Sequence, residues 1–139
     1  MIEDGAGATG DCSGDGSGKR KKKPFDLSER TALFGEAIIR FAKSLPVTPI
    51  TREMIAQLVD SGTSVGANYA EANEGVSKKD FRNKIGICKK EANETKFWLR
   101  MMACAVPERK ADARPLWQEA KELHLIFSKI FRSSGSRSD

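Results

Sequence analysis

Three groups of residues in this sequence have types and spacings that could do chemistry. The first lies in DSGTSVGANYAEANEG, residues 60–75, where Gly62, Thr63, Ser64 and Gly66 have the makeup of a turn that cradles phosphate with backbone N–H groups. The second is a set of cations, Lys78, Lys79, Arg82, Lys89, Lys90, Lys96 and Arg100, suited to contacting the phosphates of a nucleic acid. The third is Glu71, Glu91 and Glu94 together with the single histidine, His124, which invites comparison with carboxylate metal centres in helix bundles.

The elements that would position these residues decide among them. A Walker loop requires a lysine directly after its second glycine, and a dinucleotide turn requires G-x-G-x-x-G after a strand. Residues 51–75 hold no lysine, and no strand-like run precedes them. Instead Met54, Leu58, Gly62, Val65, Tyr69 and Ala72 step by four and three, one face of a helix. Beside them runs a small polar row, Gln57, Ser61, Ser64, Asn68 and Glu71. Glycine costs about 1 kcal/mol relative to alanine in a helix, so close packing on both rows must offset several such costs. The glycines therefore read as sites of close helix approach.

Three further segments keep helical periodicity. Residues 27–45 carry Phe34, Ala37, Ile38, Phe41 and Leu45 behind a capping box at Asp26 and Glu29, with Pro46 and Pro49 as the stop. The glycine-bearing helix then starts near Thr51, expected as its N-cap, and ends before Gly75. The next begins behind Ser77 and runs to about Ala105, with core positions Phe81, Ile85, Cys88, Ala92, Thr95, Leu99 and Met102. The last spans roughly Asp112 to Phe131 through Leu116, Ala120, Leu123, Phe127 and Ile130, with Pro115 expected in its first turn. Short connections and no β-rich run give an all-α, up-down-up-down antiparallel four-helix bundle over residues 25–132.

The tails differ from this body. Residues 1–24, rich in Gly and Ser and closing on KRKKK, are expected to be disordered, as are residues 133–139. The chain carries a net charge of +5. Its cysteines, Cys12, Cys88 and Cys104, suit neither a disulfide framework nor a zinc site. No apolar run could span a bilayer and no export signal is visible, so no membrane role is expected and the cytoplasm is the default.

The third helix carries a second row as well, Ile87, Glu91, Glu94, Trp98 and Met101. An exposed face bearing Ile, Trp and Met is unusual for a monomer, which points to self-association. Gly62, Ser64, Gly66, Asn68, Glu71, Glu91, Glu94 and Trp98 are the candidate packing and oligomer-interface residues. On the same helix Lys78, Arg82, Lys89, Lys96 and Arg100 share an arc of roughly 40°, about 33 Å long, flanked by Lys79 and Lys90. That stripe suits phosphate contact, not base reading. The metal reading is weak, because residue 121, where an E-x-x-H pair with His124 would need Glu, is Lys121. No catalytic constellation and no cofactor follow; the expectation is a non-enzymatic protein. The alternative to nucleic-acid binding is a protein-interaction scaffold.

QLVDSGTSVGANYAEANEG and SKKDFRNKIGICKKEANETKFWLRMM resemble the small four-helix bundle proteins related to the protein encoded in intervening sequences of bacterial 23S rRNA genes. The most specific part is the spacing of Ser64, Asn68 and Glu71 followed by EANETKFWL, and the similarity covers about residues 25–131. It implies a ring-like homopentamer. The accessory variability determinants of diversity-generating retroelements resemble the same family. By that resemblance, RNA or DNA and a reverse transcriptase are implied partners.

Overall fold

The computed structural model describes residues 26–75 and 77–135. They form four α-helices, α1 (Leu27–Lys43), α2 (Thr51–Asn73), α3 (Lys78–Ala105) and α4 (Lys110–Gly135), with a short 3-10 turn at Pro107–Arg109. There is no strand among the described residues. The helix α4 continues to Gly135, past the expected boundary at 132, while residues 1–25 and 136–139, with Cys12 and the KRKKK run, lie outside the described residues.

Local capping explains where the helices begin. The Asp26 carboxylate accepts from the Glu29 N–H at 3.1 Å, and the Ser77 hydroxyl accepts from the Asp80 N–H at 3.0 Å. The entry to α2 differs from expectation. Thr51 is the first helical residue, not the cap. Thr48 Oγ1 instead accepts from the Ile50 and Thr51 N–H groups, while Thr51 Oγ1 accepts from the Thr48 N–H and donates to the Pro46 carbonyl. Pro46 and Pro49 bend the chain so that a threonine three residues upstream reaches the free N–H groups. Thr48→Ala is expected to cost about 1 kcal/mol, read as a lower denaturant midpoint at unchanged slope.

The other departure is at Pro115, which stands in the second turn of α4, because the helix begins at Lys110. It forfeits the bond to the Ala111 carbonyl, and since both residues are exposed, water can take that acceptor.

The helices pack in cyclic order, α1 on α2, α2 on α3 and α3 on α4, with a lighter α1–α4 seam. Cross-helix pairs fix antiparallel neighbours. Ile38 meets Gly62 while Thr31 meets Gly66, and the Ser61 and Thr95 hydroxyls lie 2.9 Å apart while the Cys88 thiol donates to the Val65 carbonyl at 3.4 Å. Burial pushes the Cys88 thiol up to about 12, so it behaves as a small core residue. Phe34, Ile38, Leu58, Val65, Ile85, Leu99, Leu123 and Phe127 form one contiguous core. Arg30 closes the α1–α4 seam, its Nε and Nη2 donating to Glu119 at 2.7 and 2.8 Å and its Nη2 to Glu122 at 2.9 Å.

The glycine-rich stretch is helical as far as Asn73, with Glu74 as the C-cap, and Gly62 and Gly66 stand inside the helix and not in a phosphate-binding turn. A Cβ on Gly62 would lie 2.9 Å from Ile38 Cγ1 and Cγ2, and one on Gly66 would lie 3.2–3.3 Å from Thr31, including its backbone carbon. The helix these glycines admit is α1 of the same chain.

Candidate nucleic-acid interface

The basic stripe of α3 runs alongside α4, and α4 answers it with a row of its own. Trp117, Lys121, His124, Ser128 and Phe131 step by four and three along one side of α4, and the rings of Trp117 and Phe131 meet α3. The two rows are in antiparallel register. The Arg82 guanidinium carbon lies 3.7 Å from the Phe131 ring centroid, and Lys89 Nζ is 5.1 Å from the same ring. One heptad further on, Lys96 Nζ is 5.6 Å from the Trp117 centroid, and Lys121 Nζ stands at 5.6 Å as well. Gly86 makes room for this arrangement, since a Cβ there would meet Phe131 Cε1 at 3.1 Å.

These contacts sort the expected cations. Arg82, Lys89 and Lys96 are half-buried with their stems along α4, whereas Lys78, Lys79, Lys90 and Arg100 are exposed. Lys78, Lys79 and Arg82 line an open cleft at the first turn of α3, with Ser77, Phe81 and Ile130 beside them. Among the described residues, the ion pairs are Arg30–Glu119, Arg30–Glu122, Lys84–Glu71, Lys90–Glu91 and Arg109–Asp112. None of them neutralises Arg82, Lys89, Lys96, Lys78, Lys79 or Arg100. Their partners in the groove are aromatic faces, which attract a cation without cancelling its charge. The positive potential is left available to an outside anion.

Trp117 and Phe131 are not among the site residues that the sequence suggests, and His124 figures there only beside the carboxylates of a metal centre. Their signal was present as a seven-residue spacing that matches that of Arg82, Lys89 and Lys96, but only antiparallel packing of α3 on α4 pairs the two sets.

The expected packing face lies on the opposite side of α3. Asn68 Nδ2 donates to the Ser64 carbonyl at 2.9 Å, one turn back on α2, and does not reach a glutamate. Glu71 is exposed and pairs with Lys84. Asn68 and Lys96 do not take up these carboxylates: Lys96 sits in the α4 groove, and Asn68 is satisfied along its own helix. Glu94 is exposed, Trp98 packs edge-on against Phe97 with centroids 5.0 Å apart, and Glu91 is largely buried. Burial, with the neighbouring Glu94 and Asp60 charges, raises the Glu91 carboxyl above its ordinary range. Glu91 Oε1 and Trp98 Nε1 are buried without hydrogen-bond partners among the described residues. No cluster of three or more His, Cys, Asp or Glu among those residues could hold a metal ion.

The family model of the 23S rRNA-intervening sequence protein matches residues 23–129, the whole bundle except the end of α4. The chain belongs to that family. A crystal structure of an S23 ribosomal protein family member of unknown function from Bacteroides thetaiotaomicron VPI-5482 is 28% identical. The similarity covers 76% of this chain and 97% of that one, with a TM-score of 0.66. No curated protein matches the chain. No helix among the described residues is long and apolar enough to cross a membrane. In this member of the 23S rRNA-intervening sequence protein family, the α3–α4 groove is the candidate site that its own side chains define.

Proposed function

We propose that this protein is a non-enzymatic, self-associating four-helix bundle that binds the phosphate backbone of nucleic acid along the α3–α4 groove. The observation that carries the reading is the run of Arg82, Lys89 and Lys96 held against Phe131 and Trp117 with no carboxylate pairing them among the described residues. Phosphate contacts of this kind need charge and spacing, not base-edge hydrogen bonds. The family's name, which refers to 23S rRNA, supports RNA as the first nucleic acid to try.

Self-association rests on the opposite face. There α3 presents Ile87, Trp98 and Met101, each partly exposed, an apolar face that a second copy would cover. Half-exposed Phe97 packs edge-on against Trp98 beside it. The family resemblance supports a ring of five. The same apolar face also suits the alternative, a scaffold that docks another protein and ignores nucleic acid.

A gel-shift titration with RNA over a salt series, combined with the mass of the purified protein, tests both parts. The expected result is retention that falls steeply with salt and a mass several times that of one chain. Absent or salt-insensitive retention would reject the nucleic-acid reading. A monomeric mass would reject self-association.

A further inference from the structure

His124 is the one member of the α4 row whose charge depends on its surroundings. It stands one heptad, about 10 Å along the helix, from both Trp117 and Phe131. Lys89 leans toward Phe131 and Lys96 toward Trp117, and helical spacing sets His124 midway between those two rings, where both lysine charges act on its imidazole. The charges that face it are Lys89 and Lys96 from α3 and, one turn back in its own row, Lys121. The carboxylates that precede it on α4, Glu119 and Glu122, are held by Arg30 of α1. From α2, Tyr69 packs on Phe127, with ring centroids 5.7 Å apart. Partial burial, and then the Lys96 and Lys89 charges, keep the imidazole below its ordinary range and hence neutral at neutral pH.

We propose that Lys89, His124 and Lys96 form a phosphate-binding subsite at the centre of the α3–α4 groove, in which His124 takes up a proton from solvent as a nucleic-acid phosphodiester docks. The inference rests on the nucleic-acid reading above and adds to it a site and a pH dependence. Both lysine stems are long enough to swing an ammonium group off its ring and onto an anion. A bound phosphodiester reverses the sign of the local potential. The proton that was costly beside two lysines becomes a third favourable charge, and the imidazole gains a hydrogen bond to a phosphate oxygen. The sign of the linkage is fixed. The complex binds more protons than the free protein, so affinity rises as pH falls through the interval between the free and bound values and levels off below the lower one.

His124 is the only histidine in the chain, so one imidazole resonance reports the site. The experiment is an NMR pH titration of the full-length protein, alone and with a short oligouridylate, alongside affinity measured at several pH values. Three results are expected. The oligomer moves the His124 titration to higher pH, wild-type affinity increases by up to about tenfold per pH unit on acidification, and His124→Gln loses that increase. Lys96→Gln should raise the His124 titration in the free protein, because it removes one of the opposing charges. If the oligomer binds while the resonance titrates unchanged, or if His124→Gln keeps the wild-type pH dependence, the subsite is overturned and the broader nucleic-acid reading stands. If the oligomer binds at no pH even in low salt, both fall. Inorganic phosphate shifting the resonance as far as the oligomer at equal phosphate concentration would assign the subsite to a free anion and overturn its nucleic-acid part.

Discussion

Gly62→Leu is expected to lower the stability of the bundle by about 3 kcal/mol or more, enough to remove much of the folded population of a domain this size. Even a Cβ at this position would stand 2.9 Å from two carbons of Ile38, and Ile38 is fully buried and has nowhere to go. A leucine adds further atoms into the same closed space, so α1 must separate from α2. Gly62→Ala isolates the cause. In an exposed helix it would gain about 1 kcal/mol of propensity, whereas here the clash with Ile38 should turn that gain into a loss. Gly35→Ala is the matching control, since its Cβ would meet its nearest neighbour, the Thr63 Cα, at an ordinary 3.6 Å. It should be neutral or slightly stabilising. Urea melts of the three variants give the comparison, and a Gly62→Leu protein as stable as wild type would refute the close-approach reading.

The second large effect is on binding. Lys89→Glu with Lys96→Glu should all but abolish RNA retention at physiological salt, because two contacts are removed and two repulsive charges are placed in the same groove. Measured as log affinity against log salt, the loss of two phosphate contacts should flatten the slope by about 1.4 for single strands. Lys129→Glu changes the net charge by as much as Lys96→Glu alone, at an exposed position outside the α4 row, and it should leave most of the binding intact. Equal losses in Lys129→Glu and Lys96→Glu would mean that total charge, not the groove, governs the interaction. Retention unchanged in the double variant would favour the protein scaffold.

How far the sequence was readable depends on the range of the interaction. The caps at Asp26 and Ser77 were legible because donor and acceptor are three residues apart. The cap of α2 was assigned to Thr51 instead of Thr48 because two prolines shift the turn that presents the hydroxyl, and periodicity says nothing about turns. Pro115 was expected in the first turn of α4 because the apolar pattern starts at Leu116. The helix, however, begins at Lys110, on polar residues and a 3-10 turn that the pattern does not mark.

Sequence alone determined that this chain is helical, where its core faces lie, that Gly62 and Gly66 belong to a helix and not to a phosphate loop, and that α3 bears a cationic stripe. Each follows from contacts between residues three, four or seven apart, which the helix itself brings together. Tertiary packing decided which helix fills the space above Gly62 and Gly66, and that Glu71 goes to Lys84 while Asn68 turns back to its own backbone. It also brought Phe131, His124 and Trp117 opposite Arg82, Lys89 and Lys96. A helical face records that something packs on it but not what, because the partner lies far along the chain and the register between two helices is set by the fit of all their side chains at once.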